Sequence, residues 1–217
     1  MQRSRGAGRA DTGTKSSPLA FERMVFFSDA VFAIVITLLV LPLTAEIDLP
    51  AGDEGALAHV LHLWPTVLTF LVSFLVVGQF WIAHHRTFGN VRGSDHGLLW
   101  LNLIILLTVA FFPFPAALLG ARSTPDDAFP VVFYAVSLTL TSAALMTTWL
   151  YALQRGLVDP ALTGDERTTI TRRAAATTVV FAASVALAFL GLAVALSCWL
   201  IVLPAVRMAV SRRRTSV

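Results

Sequence analysis

The sequence predicts an all-α membrane protein with six transmembrane helices per protomer. Three observations carry this. Hydrophobic residues make up 56% of the 217 and charged residues only 13%, against about 25% charged in a soluble domain. The mean hydropathy is +0.75. The charges are gathered into short stretches between apolar runs, and those runs are long enough to cross a hydrocarbon core of about 30 Å.

In chain order, residues 1–20 are rich in Arg, Gly, Ser and Thr and read as a disordered basic cytoplasmic tail. The apolar run behind them is too long for a typical signal-peptide core, and Thr44-Ala45-Glu46 is a poor cleavage site. Residues 21–210 form the transmembrane domain. Its expected segments are Met24–Leu43, Leu57–Ile82, Gly97–Gly120, Ala128–Leu153, Thr171–Leu190 and Leu192–Val210. The last two are separated by an argument of length. No charge occurs from Ala174 to Val206, and one helix over that stretch would reach about 50 Å at 1.5 Å per residue. The chain is therefore expected to fold back near Gly191. Residues 211–217 are a second basic cytoplasmic tail.

Six crossings place fifteen of the sixteen Lys and Arg residues on one side and Arg122 alone on the other. The sparse side also holds Glu46, Asp48, Asp53, Glu54, Asp126 and Asp127. The positive-inside rule then puts both termini in the cytoplasm of a cell-membrane protein. The pI of about 9.7 reflects these topology-setting loops, which meet anionic headgroups. It does not mark a nucleic-acid surface, since no basic patch interleaved with aromatics is present.

The first segment opens with Arg23, Ser28 and Asp29. Below them Ile34, Leu38 and Leu41 fall at i, i+4 and i+7, on one helix face, with Thr37 beside it. An ionisable group in such a segment is kept for function or for a buried pair. Trp81, His84 and His85 end the second segment and Asn102 lies early in the third, all near the depth of Asp29. Arg23, Ser28, Asp29, His84 or His85, and Asn102 are expected to form a cross-helix structural network, with Trp81 in the interfacial belt. Thr66, Thr69, Ser73, Thr139, Ser142 and Thr147 read as packing and interhelical hydrogen-bonding residues.

Catalytic and metal chemistry have no support. Paired carboxylates at depth, a nucleophile elbow, a Walker A loop and a dinucleotide fingerprint are all missing. His84 and His85 point to different faces. His59 and His62 share a face but lack a third and fourth ligand at suitable spacing. The single cysteine, Cys198, reads as packing. No cofactor and no metal site are expected. The filter sequence TVGYG is absent too.

Arg23-x-x-x-Phe27-Ser28-Asp29 resembles the R-x-x-x-F-S-D signature of the transmembrane protein 175 family, the lysosomal potassium channels and their bacterial relatives. The likeness continues through Ala33, Ile34, Thr37, Leu38 and Leu41. It includes FLVSFLVVGQFWIAHHRTF and WLNLIILLTVAFFPFPAALLG in the second and third segments, about half the chain. The resemblance implies a single-repeat member whose six-helix channel domain assembles as a homotetramer, with the pore lined by the first helix. Carried over by position, the constriction and selectivity residues are Ile34, Thr37, Leu38 and Leu41, and the permeant partner is the potassium ion. An apolar ring can close by dewetting, and the acids on the sparse side would enrich cations at the mouth.

Two other functions fit the composition. One is a proton-coupled secondary transporter using Asp29 and a histidine as relay. The other is a non-conducting membrane scaffold. The transporter reading lacks a broken helix with a midplane charge and an inverted repeat.

Overall fold

The computed structural model describes residues 18–45, 63–121, 127–202 and 204. Helix α1 spans Pro18–Leu38 and α2 spans Leu41–Ala45. Then come α3 (Trp64–Gly89), α4 (His96–Ala110), α5 (Pro113–Gly120), α6 (Phe129–Gln154), α7 (Gly164–Leu187) and the short α8 (Leu192–Ser197). Five stretches are long and apolar enough to cross a membrane: Leu19–Thr44, Trp64–Gly89, His96–Gly120, Phe129–Gln154 and Gly164–Leu190. Residues 1–17 of the first expected tail, all of the second, the acids Glu46, Asp48, Asp53, Glu54 and Asp126, and Arg122, His59 and His62 lie outside the described residues. Residues 18–20, expected as tail, already belong to α1, because no charge or glycine stops the helix there.

Prolines divide two of the five spans. The ring of Pro42 removes the donor that would reach the Leu38 carbonyl. The chain turns at Leu39–Val40, where the Val40 amide bonds Thr37 at 3.4 Å, and helix resumes as α2. Pro113 and Pro115 likewise interrupt α4 and α5 at Phe111–Phe112. Leu41 therefore belongs to a different helical segment from Ile34 and Leu38.

Gly191 breaks the last long apolar stretch, as its length requires. Its φ of 114° is open to glycine and strained for other residues. The residues behind it fold back onto α7. Trp199 is fully buried, donates through Nε1 to Ser184 Oγ at 3.0 Å, and packs its ring 4.9 Å from that of Tyr134. The apolar helix Leu192–Ile201 is shorter than a full span, and the remainder of this segment lies outside the described residues.

Expected and observed boundaries differ most at the second segment. The helix continues through Trp81, His84, His85 and Arg86 to Gly89. Polar residues end an apolar run without ending a helix. The fifth begins earlier than its apolar run, at a capping box: Thr163 Oγ1 accepts from the Glu166 amide, and the Glu166 carboxylate accepts from the Thr163 amide.

The core lies between α6 and its neighbours. Tyr134, Leu138 and Trp149 of α6 are fully buried, and α6 packs on α4, α5 and α7 while α1 packs on α3 and α4. Hydroxyl pairs tie α6 to α3 and to α7. Ser73 meets Tyr134 Oη at 3.0 Å, and Ser142 meets Thr178 at 2.9 Å. Thr69 and Thr139 instead bond their own helices.

At one end of the bundle the loops 90–95 and 155–163 are clasped together. Val91 and Val158 form an antiparallel bridge, and Arg92 Nε meets Asp159 Oδ2 at 2.7 Å. The Ala161 amide and the Arg92 guanidinium hold the Asp159 carboxyl below its usual range. Asp95 caps α4 by accepting from the Leu98 amide at 2.8 Å, and it also accepts from Tyr151 Oη at 2.9 Å and Arg155 Nε at 3.4 Å.

Candidate pore-lining helix

The two faces of α1 differ in how they are held. Met24, Ser28, Phe32 and Val35, with Leu39 in the turn just after the helix, are buried against the bundle. Their spacing follows helical periodicity, so they form one seam. Ser28 and Asn102 are at most 1% exposed, as is His84. Asn102 Nδ2 donates to Ser28 Oγ at 2.9 Å, and Ser28 Oγ donates to the Met24 carbonyl at 2.9 Å. Asn102 Oδ1 lies 2.9 Å from His84 Nε2. With the amide oxygen as acceptor, His84 carries its proton on Nε2. One chain of bonds therefore ties α1, α4 and α3 at a single depth. The His84 ring is fixed further by Phe88, stacked at 4.3 Å, and Phe32 at 5.4 Å.

Asp29 belongs to a second, more exposed cluster. Trp81 Nε1 donates to Asp29 Oδ1 at 2.9 Å, and the His85 ring packs 5.7 Å from that of Trp81. Trp81, read as a belt residue, is thus also a direct partner of α1. Arg23 joins neither cluster among the described residues. It borders a cleft of about 580 Å³ between α1 and α4, with Phe27, His96 and Trp100.

The other face of α1, and Leu41 at the start of α2, meet little else among the described residues of the protomer. Ile34 is 57% exposed, Leu38 38% and Leu41 54%, and Thr37 is exposed between them. The Thr37 hydroxyl donates to the Ile34 carbonyl at 2.7 Å. A hydroxyl oxygen that donates keeps acceptor capacity. This stripe is therefore aliphatic with one oxygen able to meet a cation.

Sequence reasoning missed the Asp95 hub. A Ser-Asp pair just before an apolar run is an N-cap signal, but Tyr151 and Arg155 lie 56 and 60 residues away. Nothing local in the sequence pairs them.

Fold and site define a multi-pass α-helical membrane protein whose first helix is anchored on one face and bare on the other. The family model described as endosomal/lysosomal potassium channel TMEM175 matches residues 23–113. A potassium channel of Streptomyces collinus is 40% identical over 143 residues, covering 64% of this chain and 68% of that protein. A potassium channel of Chamaesiphon minutus is 43% identical over 98 residues, covering 45% of this chain and 48% of the relative. The crystal structure of a lysosomal potassium-selective channel TMEM175 homolog from Chamaesiphon minutus aligns with a TM-score of 0.75 at 28% identity, covering 88% of this chain and 98% of that one. The chain belongs to the TMEM175 channel family.

Proposed function

We propose that this protein is a potassium-selective channel built as a homotetramer around α1, with Ile34, Thr37, Leu38 and Leu41 at the constriction. The observation that carries the reading is the bare aliphatic stripe with its threonine, set opposite a face fixed by hydrogen bonds. A channel needs a wall held in place from behind. In this reading the six expected crossings make one unit, and four copies of it surround a symmetric pore. The naming of both bacterial relatives as potassium channels supports potassium as the permeant ion.

In this reading the narrowest rings are apolar and close by dewetting. Potassium, less strongly hydrated than sodium, loses less on shedding part of its water shell, and Thr37 oxygens replace some of it. The Ser28–Asn102–His84 chain and the Asp29–Trp81 bond hold α1 at the right rotation. The chain crosses the cell membrane six times, with the loops 90–95 and 155–163 and both termini inside.

The proton-coupled alternative has less support. His84 bonds Asn102 rather than Asp29, and His85 meets Asp29 only through the Trp81 ring packed beside it, so neither histidine hydrogen-bonds the carboxylate. Purified protein in planar bilayers under mixed potassium and sodium decides among the readings. Unitary, potassium-preferring currents are expected. Saturable coupled flux would replace the channel by a carrier, and silence in both assays would leave a scaffold.

A further inference from the structure

A cleft of about 570 Å³ opens between α3, α6 and α7, away from the α1 face. Two arginines enter it. Arg86 comes from the last turn of α3, and Arg173 lies about two and a half turns into α7. Among its described lining residues there is no carboxylate. The rest of the wall is mixed: an apolar part with Phe80, Ile82, Leu145 and Met146 adjoins the polar Gln79, Asn90 and Ser142. Ile82 is 43% exposed within the apolar span Trp64–Gly89, so the cleft is open along an apolar helix surface.

These features select a ligand by chemistry. Two arginines on the wall of one cavity suit an oxyanion, which a guanidinium can bind through paired N–H donors. A soluble anion would leave the apolar wall in contact with nothing it prefers. An acyl chain would cover that wall at about 0.8 kcal/mol per buried methylene. We propose that the cleft is a binding site for an anionic phospholipid. Its phosphate lies between Arg86 and Arg173, and one acyl chain lies along Phe80, Ile82 and Leu145. The bound lipid braces α7 against α3, a seam that direct helix contacts cover less fully than the α6–α7 seam. This rests on the protein's being membrane-embedded, not on its conducting ions.

Native mass spectrometry of the full-length protein, released from detergent after incubation with equal phosphatidylglycerol and phosphatidylcholine, tests it. Selective retention of phosphatidylglycerol is expected. Arg86→Gln, at an exposed position, should cut that retention about fivefold, and adding Arg173→Gln should cut it further. Arg155→Gln, a surface cation at the same end of the bundle, should leave it unchanged. The variants' melting temperatures without added lipid separate lost binding from lost folding. Equal retention of both lipids, or wild-type retention by Arg86→Gln, overturns the proposal. Displacement of the lipid by inorganic phosphate alone would assign the site to a soluble anion instead and overturn it as well.

Discussion

Asn102 and Ser28 meet across 74 residues of sequence, the asparagine Nδ2 donating to the serine Oγ at 2.9 Å while both side chains are shut off from solvent. Asn102 spends its oxygen on His84 in the same plane of the bundle. A polar group buried in lipid-facing helices has no water to fall back on.

Asn102→Leu should therefore be costly. It orphans His84 Nε2 and removes the donor to Ser28, at about 1–3 kcal/mol per buried group left unsatisfied. The melting temperature of the purified protein in detergent should drop clearly. Ser28→Ala should lower it less, because the Met24 carbonyl still holds its helical bond. An Asn102→Leu protein that melts with the wild type would remove the anchor from this account.

The Asp29–Trp81 bond lies at an exposed seam, so its net worth is modest. Asp29→Ala and Trp81→Phe should each cost about 1 kcal/mol. The double variant should cost little more than either single, since both delete one bond. Fully additive losses in a thermal double-mutant cycle would mean the two side chains act separately.

Asp95 should make stability depend on acid. Burial alone would raise its carboxyl, but the Leu98 amide, the Tyr151 hydroxyl and the Arg155 guanidinium outweigh that and hold it below the usual range. A carboxyl depressed in the fold contributes stability above its unfolded value of about 4, and that contribution fades as pH falls through the lower folded value. Asp95→Asn keeps a capping side chain but no charge. Wild type should lose more of its melting temperature than Asp95→Asn on going from neutral pH to below about 4. Parallel pH curves for the two proteins would rule out this contribution.

Gly97 of α4 lies directly against Tyr151 of α6. A Cβ there would run into the Tyr151 hydroxyl and ring. Gly97→Ala should push Tyr151 off Asp95 and destabilise by about 1–3 kcal/mol, the range of core overpacking. Combined with Tyr151→Ala it should cost less than the sum, because the obstacle is gone. Strict additivity in chemical denaturation would contradict the clash.

Substitutions on the bare stripe should show in currents rather than in stability. Leu38→Ala and Ile34→Asn should raise conductance and weaken discrimination between potassium and sodium, because a smaller or wetter ring dewets less readily. Thr37→Val keeps volume and removes the oxygen, so it should lower potassium preference. Selectivity that survives all three changes, measured as reversal-potential shifts, would move the filter off this helix.

Helices α3, α4, α6 and α7 could be seen as apolar runs, and the break at Gly191 followed from length alone. The rotation of α1 could not. Its buried Phe32 and Val35 are no more apolar than its exposed Phe27, Ile34 and Leu38. When lipid is the solvent, hydrophobicity does not say which side packs on protein. Ser28 and Asn102 carried that information, because only their face needs hydrogen bonds. Sequence reasoning missed the turn before Pro42: it takes the segment as one helix through Leu43, although a proline four residues after Leu38 removes a helical bond there. The clasp of Asp95 with Tyr151 and Arg155 joins distant segments, and no periodic pattern points to it.

The division of α1 between a bonded face and a bare one has a consequence for change over time. Side chains that hold the protomer together and side chains that would meet ions are different residues, one or two positions apart. Replacing Ile34, Thr37 or Leu38 disturbs few contacts inside the subunit. The lining of such a pore can be rewritten residue by residue while the fold behind it stays the same, so one scaffold can serve several permeation properties.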